Sequence, residues 1–329
     1  MTPFRWGVLS TADIALEKVI PGMRRARETE VLAIASRDGV RARDAAARHG
    51  IPRAFGSYQA LLDDPDVDAV YIPLPNHLHL EWTIAAARAG KPVLCEKPLA
   101  LTADDARQMI RACREAGVPL MEAFMYRQHP SWVAVRELIA AGRIGHLTAI
   151  DSWFSYYNDD PANIRNVLAA GGGALYDIGC YNVNLSRMLF DAEPTDVAAS
   201  VVRDPVSGVD VLTSALLTFE AGTSTFTCAM RVESDQRVHL YGTAGRVSIE
   251  IPFNIPPDRP TRISVTAGGD PPVAPASETI TIPAADPYAV EVEQFAAAVR
   301  AGRPVPVPPE DAVANLRVIE RVFAAGDAV

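Results

Sequence analysis

The sequence predicts an α/β fold in which a doubly wound parallel sheet is followed by an α+β domain with a large, mainly antiparallel sheet. In residues 1–122, short apolar runs alternate with amphipathic helical stretches, a pattern typical of βαβ units. From residue 123 onward the apolar runs become longer and rich in Thr, Val and aromatic residues, with turn signals between them. The length of 329 residues also favours two domains.

The composition excludes several classes of protein. The formal net charge of −9 and the lack of a basic patch argue against a nucleic-acid partner. The four cysteines are scattered without a C-x-x-C pair, which argues against a zinc site and a disulfide framework and favours a reducing compartment. The sequence shows no signal-peptide pattern and no apolar run of membrane-spanning length. We expect a soluble, cytoplasmic protein without a metal site.

Each element of the first domain follows from a local pattern. Apolar runs bounded by turn residues predict buried parallel strands, and amphipathic stretches that stop at glycine or proline predict the helices between them. The predicted strands are 4–9, 31–35, 54–56, 69–72, 93–95 and 118–121. The predicted helices are a short one ending at residue 20, then 41–49, 58–63, 81–89 and 102–116, the last with Thr102 as its N-cap.

The second domain is predicted to begin with a helix at 133–141. Runs of β-branched and aromatic residues predict strands at 147–156, 196–202, 209–219, 223–232 and 238–241. A proline-rich loop is expected at 254–262 and helices at 288–300 and 310–325, the last being a candidate to pack back on the first domain. Because the strand 209–219 is apolar on both faces, a second subunit is a candidate to cover one of them.

The turn after the first strand has the composition of a phosphate-binding loop. Small side chains allow backbone N–H groups and the positive end of a helix dipole to approach an anion closely. Ser10, Ala12 and Ala15 occupy the three glycine positions of the dinucleotide pattern G-x-G-x-x-G, although an ordinary βα turn is equally consistent with this hexapeptide. The residues of this turn expected at the cofactor are Ser10, Thr11, Ala12, Asp13 and Ile14.

The end of the second strand indicates which dinucleotide is bound. At this position an acidic residue would bond the ribose 2′-hydroxyl, whereas an arginine accommodates a 2′-phosphate. The chain has Ser36 and Arg37 here, with Arg41 one helical turn further on. This set favours NADP over NAD, the alternative being that the two arginines are solvated residues at a helix start.

Two neighbouring strands of the predicted parallel sheet end at residues that can carry chemistry. Strand 93–95 is followed by Glu96-Lys97-Pro98, and strand 69–72 is closed by the segment 73–76. Ligands bind beyond the carboxyl ends of such strands, so Lys97 is predicted to point into that crevice. A surface salt bridge between Glu96 and Lys97 is the structural alternative.

A second group of chemistry-bearing residues follows three glycines at 171–173. The triple glycine permits close approach of the backbone to a ligand. If a helix follows, Asp177 and Tyr181 lie four residues apart on one face, where a carboxylate and a phenol can bind a hydroxylated substrate and move a proton. A capping aspartate beside a half-buried core tyrosine is the structural alternative.

Taken in order, four motifs resemble those of the glucose–fructose oxidoreductase / inositol dehydrogenase (Gfo/Idh/MocA) family over the whole chain. They are Pro75-Asn76 with His79, Glu96-Lys97-Pro98, the segment 122–127 and the segment 171–181. The resemblance implies an NADP-binding Rossmann domain at 1–122 and a substrate-binding and oligomerisation domain at 123–329. Tyr181 stands where many members carry histidine, which resembles the branch of glucose–fructose oxidoreductase, NADP-dependent D-xylose 1-dehydrogenase and dihydrodiol dehydrogenase.

The resemblance also implies the roles of the site residues. Lys97 is the catalytic lysine, either Tyr181 or Lys97 moves the proton, and Asp177 orients a substrate hydroxyl. The relatives lead us to expect a cis bond between Lys97 and Pro98. The other residues expected at the cofactor or its substrate edge are Leu74, Pro75, Asn76, His79, Glu96, Lys97 and Arg127.

The expected function is that of an NADP-dependent oxidoreductase that transfers hydride between a hydroxyl of a sugar or related cyclic polyol and the nicotinamide. An aldose 1-dehydrogenase-type reaction is the main interpretation. A keto-sugar reductase of a deoxysugar pathway and a non-enzymatic NADP(H)-binding sensor are the alternatives. We expect a homodimer or homotetramer formed through the sheet of the second domain, with no nucleic-acid or membrane partner.

Overall fold

The chain forms two compact units in a computed structural model that describes residues 2–268 and 277–327. The first unit consists of Met1–Met125 and Asp286–Val313, and the second of Tyr126–Ala285 and Ala314–Val329. Within the described ranges, no helix combines the length and the apolar character needed to span a bilayer.

The first unit contains a six-stranded parallel sheet with the order β3-β2-β1-β4-β5-β6. This order is that of a Rossmann sheet, so the predicted doubly wound sheet is confirmed. Its strands are β1 Phe4–Val8, β2 Thr29–Ala35, β3 Arg53–Phe55, β4 Ala69–Ile72, β5 Val93–Glu96 and β6 Leu120–Ala123. Its helices are α1 Ile20–Arg25, α2 Gly39–Arg48, α3 Tyr58–Leu62, α4 His79–Arg88, α5 Ala103–Ala116 and, from later in the chain, α8 Pro287–Arg300.

Local chemistry fixes the ends of these helices. The Thr102 hydroxyl accepts the N–H of Asp105 at 3.0 Å and caps α5, as predicted. Gly117 ends the same helix in the left-handed conformation, with φ of 68°, which glycine adopts without steric cost. Asp286 caps α8 by accepting the N–H of Tyr288 at 3.0 Å, and it also pairs with Arg25 at 2.7 Å.

Helix α8 belongs to the core of the first unit, which differs from the sequence-based division at residues 122 and 123. The fully buried Trp6 of β1 lies 5.4 Å from the Phe295 ring, centroid to centroid. Val292, also fully buried, belongs to the same apolar cluster. Helix α8 therefore joins the first unit, and the last helix begins in that unit, at residues 310–313, and continues in the second.

The second unit contains an eight-stranded sheet with the order β14-β13-β12-β11-β7-β10-β9-β8. All neighbouring strands are antiparallel except β10 and β7, so the predicted mainly antiparallel sheet is confirmed. Its strands are β7 Leu147–Tyr157, β8 Asp196–Arg203, β9 Asp210–Phe219, β10 Gly222–Ala229, β11 Arg231–Gly242, β12 Gly245–Ile249, β13 Thr261–Ala267 and β14 Ser277–Ile282. Its helices are α6 Pro130–Ala140, α7 Cys180–Phe190 and α9 Glu310–Gly326.

The two faces of this sheet differ in burial. Helix α7 packs against β7 and β10, and every residue from Cys180 to Arg187 is buried. Other positions of the sheet keep large apolar side chains in contact with solvent, with Leu216 39% and Tyr241 40% exposed.

The packing of α8 generates a stability prediction. Val292→Ala should lower the free energy of unfolding by about 2 kcal/mol, because two buried carbons are lost at about 0.8 kcal/mol each and a cavity remains. Val40→Ala is the matched control, since Val40 is 57% exposed, and it should change stability by less than about 0.5 kcal/mol. Urea denaturation measures both, and equal effects would contradict the placement of α8 in this core.

Candidate active site

The turn after β1 is held by its own side chains. The Ser10 hydroxyl accepts the N–H of Ala12 at 3.0 Å, which fixes the turn and occupies one of its backbone donors. Ala15 is fully buried and begins a π-helical turn, Ala15–Val19, that leads into α1. Its methyl group fits within the core, so a residue larger than glycine is tolerated at the third glycine position.

A cleft of about 450 Å³ opens beside this turn. Its walls come from the start of the first helical segment and from α2. They include Thr11, Asp13 and Arg41, three of the residues predicted to contact the cofactor. The remaining lining residues are Leu16, Glu17, Asp44, Arg48 and His49.

The end of β2 presents cations to this region. Ser36 is buried, whereas Arg37 and Arg41 are exposed. Asp38 caps α2 by accepting the N–H of Val40 at 2.8 Å, and its Oδ2 lies 3.9 Å from Nε of Arg41. The binding of a 2′-phosphate by Ser36, Arg37 and Arg41 stays a prediction.

Tyr58 neighbours both Ser10 of the β1 turn and Arg37 at the end of β2. The sequence patterns did not indicate this residue. Its side chain is almost fully buried. Burial raises the pKa of the Tyr58 phenol, and the neighbouring Arg37 and Ser10 side chains oppose that shift. The residue thus lies between the β1 turn and the end of β2.

The corner after β5 is fixed by buried side chains. The Lys97–Pro98 peptide bond is cis, as predicted. Glu122 is 2% exposed, and its Oε1 accepts the N–H of Leu99 at 2.7 Å. The half-buried Lys97 is therefore followed by a backbone that Glu122 holds in place.

His79 contacts the backbone of this corner and that of the segment after β4. Its Nδ1 lies 3.0 Å from the carbonyl oxygen of Pro98, and its Nε2 lies 2.8 Å from that of Leu74. Complete burial lowers the pKa of His79 to about 4, and Lys97 adds to this effect although the two carbonyl contacts oppose it. We expect a neutral ring in which one nitrogen donates. His79 is fully buried and contacts the backbone of two loops, and its place at the cofactor edge stays a prediction.

Glu96 is oriented by a strand residue that the sequence patterns did not single out. The phenol of Tyr71, fully buried in β4, donates to Glu96 Oε1 at 2.6 Å. The other oxygen, Oε2, accepts the backbone N–H of Lys97 at 3.2 Å. Burial and the Glu96 carboxylate raise the pKa of Tyr71, which keeps the phenol protonated as a donor.

In the second unit, Asp177 is held by two donors. It lies in a π-helical turn, Leu175–Gly179, instead of the regular helix expected from the spacing, and Tyr181 follows in the first turn of α7. Tyr156 donates to Asp177 Oδ2 at 2.6 Å and Arg165 donates to the same oxygen at 2.8 Å. Neither Tyr156 nor Arg165 was indicated by the sequence patterns.

Tyr181 lies in an aromatic cluster with only 5% of its surface exposed. Its ring centroid is 5.8 Å from that of Tyr126, 5.7 Å from that of Phe154 and 5.4 Å from that of Phe253. These contacts leave the ring little rotational freedom.

Arg127 lies in the second unit and packs near α7. Its Nη1 donates to Asn184 Oδ1 at 3.3 Å, and the Tyr126 phenol donates to the same oxygen at 2.7 Å. The residues predicted at the site thus divide between the units: Arg127, Asp177 and Tyr181 lie in the second, and the others in the first. Within residues 2–268 and 277–327, no group of three or more His, Cys, Asp or Glu side chains is arranged to hold a metal ion.

Comparison with known proteins identifies the family. Residues 4–124 match the model described as "Oxidoreductase family, NAD-binding Rossmann fold", and residues 132–248 match the GFO/IDH/MocA C-terminal domain. The chain belongs to the GFO/IDH/MocA family of oxidoreductases, as its motifs predicted.

Three similar proteins span nearly the whole chain. An uncharacterised oxidoreductase of Rhizobium meliloti is 45% identical over 319 residues, 97% of this chain and 95% of that protein. D-xylose 1-dehydrogenase (NADP(+)) 2 of Haloferax volcanii is 39% identical over 98% of this chain and 97% of its own length. The crystal structure of KijD10, a 3-ketoreductase from Actinomadura kijaniata in complex with NADP and TDP-benzene, superposes with a TM-score of 0.91 at 33% identity, covering 98% of each chain.

The Tyr71–Glu96 hydrogen bond generates a second stability prediction. Tyr71→Phe should lower the free energy of unfolding by about 1.5–3 kcal/mol, because a buried bond to a charged acceptor is lost. Tyr157→Phe is the matched control, since Tyr157 is 63% exposed and its bond to Asp159 lies at the surface. Thermal and chemical denaturation measure the two variants. A loss for Tyr71→Phe no larger than that of its control contradicts the assigned bond.

Proposed function

We propose that this chain is an NADP-dependent oxidoreductase that transfers hydride between a hydroxyl of a sugar or related cyclic polyol and the nicotinamide. The observation that carries the proposal is the fixed Glu96-Lys97-Pro98 corner at the carboxyl end of β5 in a Rossmann sheet. An ammonium at this place is suited to a ligand in the crevice beyond the strands. The main reaction we propose is that of an aldose 1-dehydrogenase.

The cofactor preference rests on the end of β2. Arg37 and Arg41 are exposed cations, and Arg41 also lies 3.9 Å from the Asp38 carboxylate. We infer that a dianionic phosphate pairs with these two guanidinium groups. The solved 3-ketoreductase holds NADP and the Haloferax relative is named for NADP(+), which agrees with the prediction. When bound, the nicotinamide supplies the hydride acceptor or donor, and the protein orients the substrate and moves the proton.

Lys97 and Tyr181 are the residues we assign to the proton and to the developing charge. A protonated lysine stabilises the negative charge that forms on the reacting oxygen during oxidation. A phenol and a lysine amine both serve as general acid–base groups in enzymes. We propose that Tyr181 or Lys97 takes the proton.

Asp177 is assigned to orient a substrate hydroxyl. A carboxylate that accepts from Tyr156 and Arg165 has a fixed position, and a fixed acceptor selects one arrangement of the hydroxyl group. Tyr156 and Arg165 therefore join the site as positioning residues.

A keto-sugar reductase is the second candidate function. The similarity to the 3-ketoreductase KijD10 favours it, because the same residues serve the reverse reaction. Oxidation of a panel of aldoses and cyclic polyols with NADP⁺, beside reduction of keto-sugars with NADPH, separates the two. Aldose oxidation as the faster reaction supports the main proposal, whereas keto-sugar reduction alone overturns it.

We also propose that the chain forms a homodimer or homotetramer through the open face of the second-unit sheet. Exposed apolar side chains such as Leu216 and Tyr241 support this, since a partner would bury them. Sedimentation equilibrium tests the assembly, and a monomer at micromolar concentration excludes it.

The cofactor assignment generates a binding prediction. Arg37→Ala should raise the Kd for NADP by about 10- to 100-fold and leave the Kd for NAD nearly unchanged, because only NADP carries the 2′-phosphate. Arg43→Ala removes an equal charge from an exposed position of α2 and should change neither constant by more than about twofold. Calorimetric titration measures the Kd of each cofactor for the two variants and for the unmodified protein. Tighter binding of NAD than of NADP by the unmodified protein contradicts the assignment.

A further inference from the structure

Asp210 is a buried carboxyl group that contacts the glycine-rich segment of the second unit. It begins β9 and is 1% exposed. Its Oδ2 accepts the backbone N–H of Leu175 at 2.8 Å and the hydroxyl of Thr213 at 2.8 Å. The Leu175 N–H opens the π-helical turn that carries Asp177, so one side chain of the sheet holds the start of that turn.

Gly173 packs closely against the same carboxyl group. Gly173 has a φ of 118°, which residues with a side chain rarely adopt. A Cβ at this position would collide with Asp210 Oδ1. The neighbouring backbone is tied to the loop that carries Arg165, since the N–H of Gly173 donates to the Arg165 carbonyl at 2.9 Å.

Burying a carboxyl group to make such a contact costs free energy. Asp210 Oδ1 has no hydrogen-bond partner within residues 2–268 and 277–327. Burial raises the pKa of this carboxyl, and an incompletely bonded polar group in the interior reduces stability. The unpaired oxygen carries a free-energy cost, and the same side chain holds Gly173 and Leu175, which come just before Asp177. We infer from this combination a role in the site.

We propose that Asp210 is a positioning residue that holds the segment 171–181 so that Asp177 and Tyr181 are presented to the substrate. This rests on the function proposed above. Asp210 acts through the Leu175 N–H and through its contact with Gly173. Because the residues assigned to NADP lie elsewhere in the chain, loss of Asp210 affects catalysis with substrate but not cofactor binding.

Asp204 provides a matched control in the same unit. Its Oδ1 also accepts backbone N–H groups, from Val206 at 2.9 Å and Ser207 at 2.8 Å, together with the Ser207 hydroxyl. It lies in the turn between β8 and β9, outside the segment 171–181. Asp204→Ala therefore removes bonds to backbone N–H groups and to a hydroxyl, as Asp210→Ala does, together with an ion pair to Arg231 at 3.7 Å.

The experiment compares Asp210→Ala, Asp210→Asn, Asp204→Ala and the unmodified full-length protein. Asp210→Ala should lower kcat/KM for the sugar by about 10²-fold, the effect of a small misplacement of site residues. The Kd for NADP should stay within about twofold. Asp210→Asn keeps one acceptor oxygen and should recover part of the loss, while Asp204→Ala should change kcat/KM by less than about threefold. Hydrogen–deuterium exchange of the segment 171–181 should accelerate only in the Asp210 variants.

Each failure has its own signature. Faster exchange in Asp210→Ala with kcat/KM unchanged means that the contact is structural only, and unchanged exchange means that Asp210 does not hold the segment; either result overturns the proposal. If Asp210→Ala does not fold, Asp210→Asn and Thr213→Val decide on the same measurements. Failure of the proposed function appears instead as absence of sugar turnover in the unmodified protein, in which case the exchange data still decide whether Asp210 holds the segment.

Discussion

The corner at the end of β5 is the constraint on which the first half of the site depends. The Lys97 backbone is followed by a cis bond to Pro98, and three buried groups fix the surrounding chain. Tyr71 donates to Glu96, Glu122 accepts the N–H of Leu99, and His79 lies between the carbonyl oxygens of Leu74 and Pro98 and donates to one of them. In the interior such hydrogen bonds are stronger than in water and costly to leave unmade. The backbone that carries Lys97 is therefore held in place by buried residues of the first unit.

In the second unit, buried residues again fix the position of the residues that we assign to the site. Asp177 is fixed by donors from β7 and from the loop before the glycines, and the turn that carries it is fixed by Asp210 of β9. Tyr181 is confined by aromatic rings instead of hydrogen bonds. Catalytic geometry that must be kept within fractions of an ångström is thus supported by a second layer of buried residues. Substitutions in that layer are expected to act on turnover as well as on stability.

The sequence predicted the parts of this protein that depend on local patterns. The βαβ alternation indicated the parallel sheet, and Lys97, Asp177 and Tyr181 were singled out from motifs that lie within short segments. Three strands, β12 to β14, were missed because the prolines and polar residues around them mask the alternation. The strand expected at 223–232 covers β10 except for its first residue and continues into the first two residues of β11. The place of α8 depends on the contact of Phe295 with Trp6, which are far apart in sequence. The contacts of Tyr58, Tyr71 and Tyr156 were not predicted for a related reason. No local sequence pattern shows which partner the hydroxyl of a tyrosine in a strand or helix will meet.

The central claim is that Lys97 and Tyr181 act together on the proton of the reacting oxygen. The most direct test is the single-turnover rate of hydride transfer to NADP⁺ in Tyr181→Phe, Lys97→Ala and the double variant, with NADP binding and folding measured alongside. The account predicts that each single substitution lowers this rate by about 10²–10⁴-fold while the fold and NADP affinity are kept. The double variant should be little worse than either alone, because residues that act as a unit are not additive. A near-normal rate of hydride transfer in Tyr181→Phe would contradict the account and leave Lys97 as the residue that moves the proton.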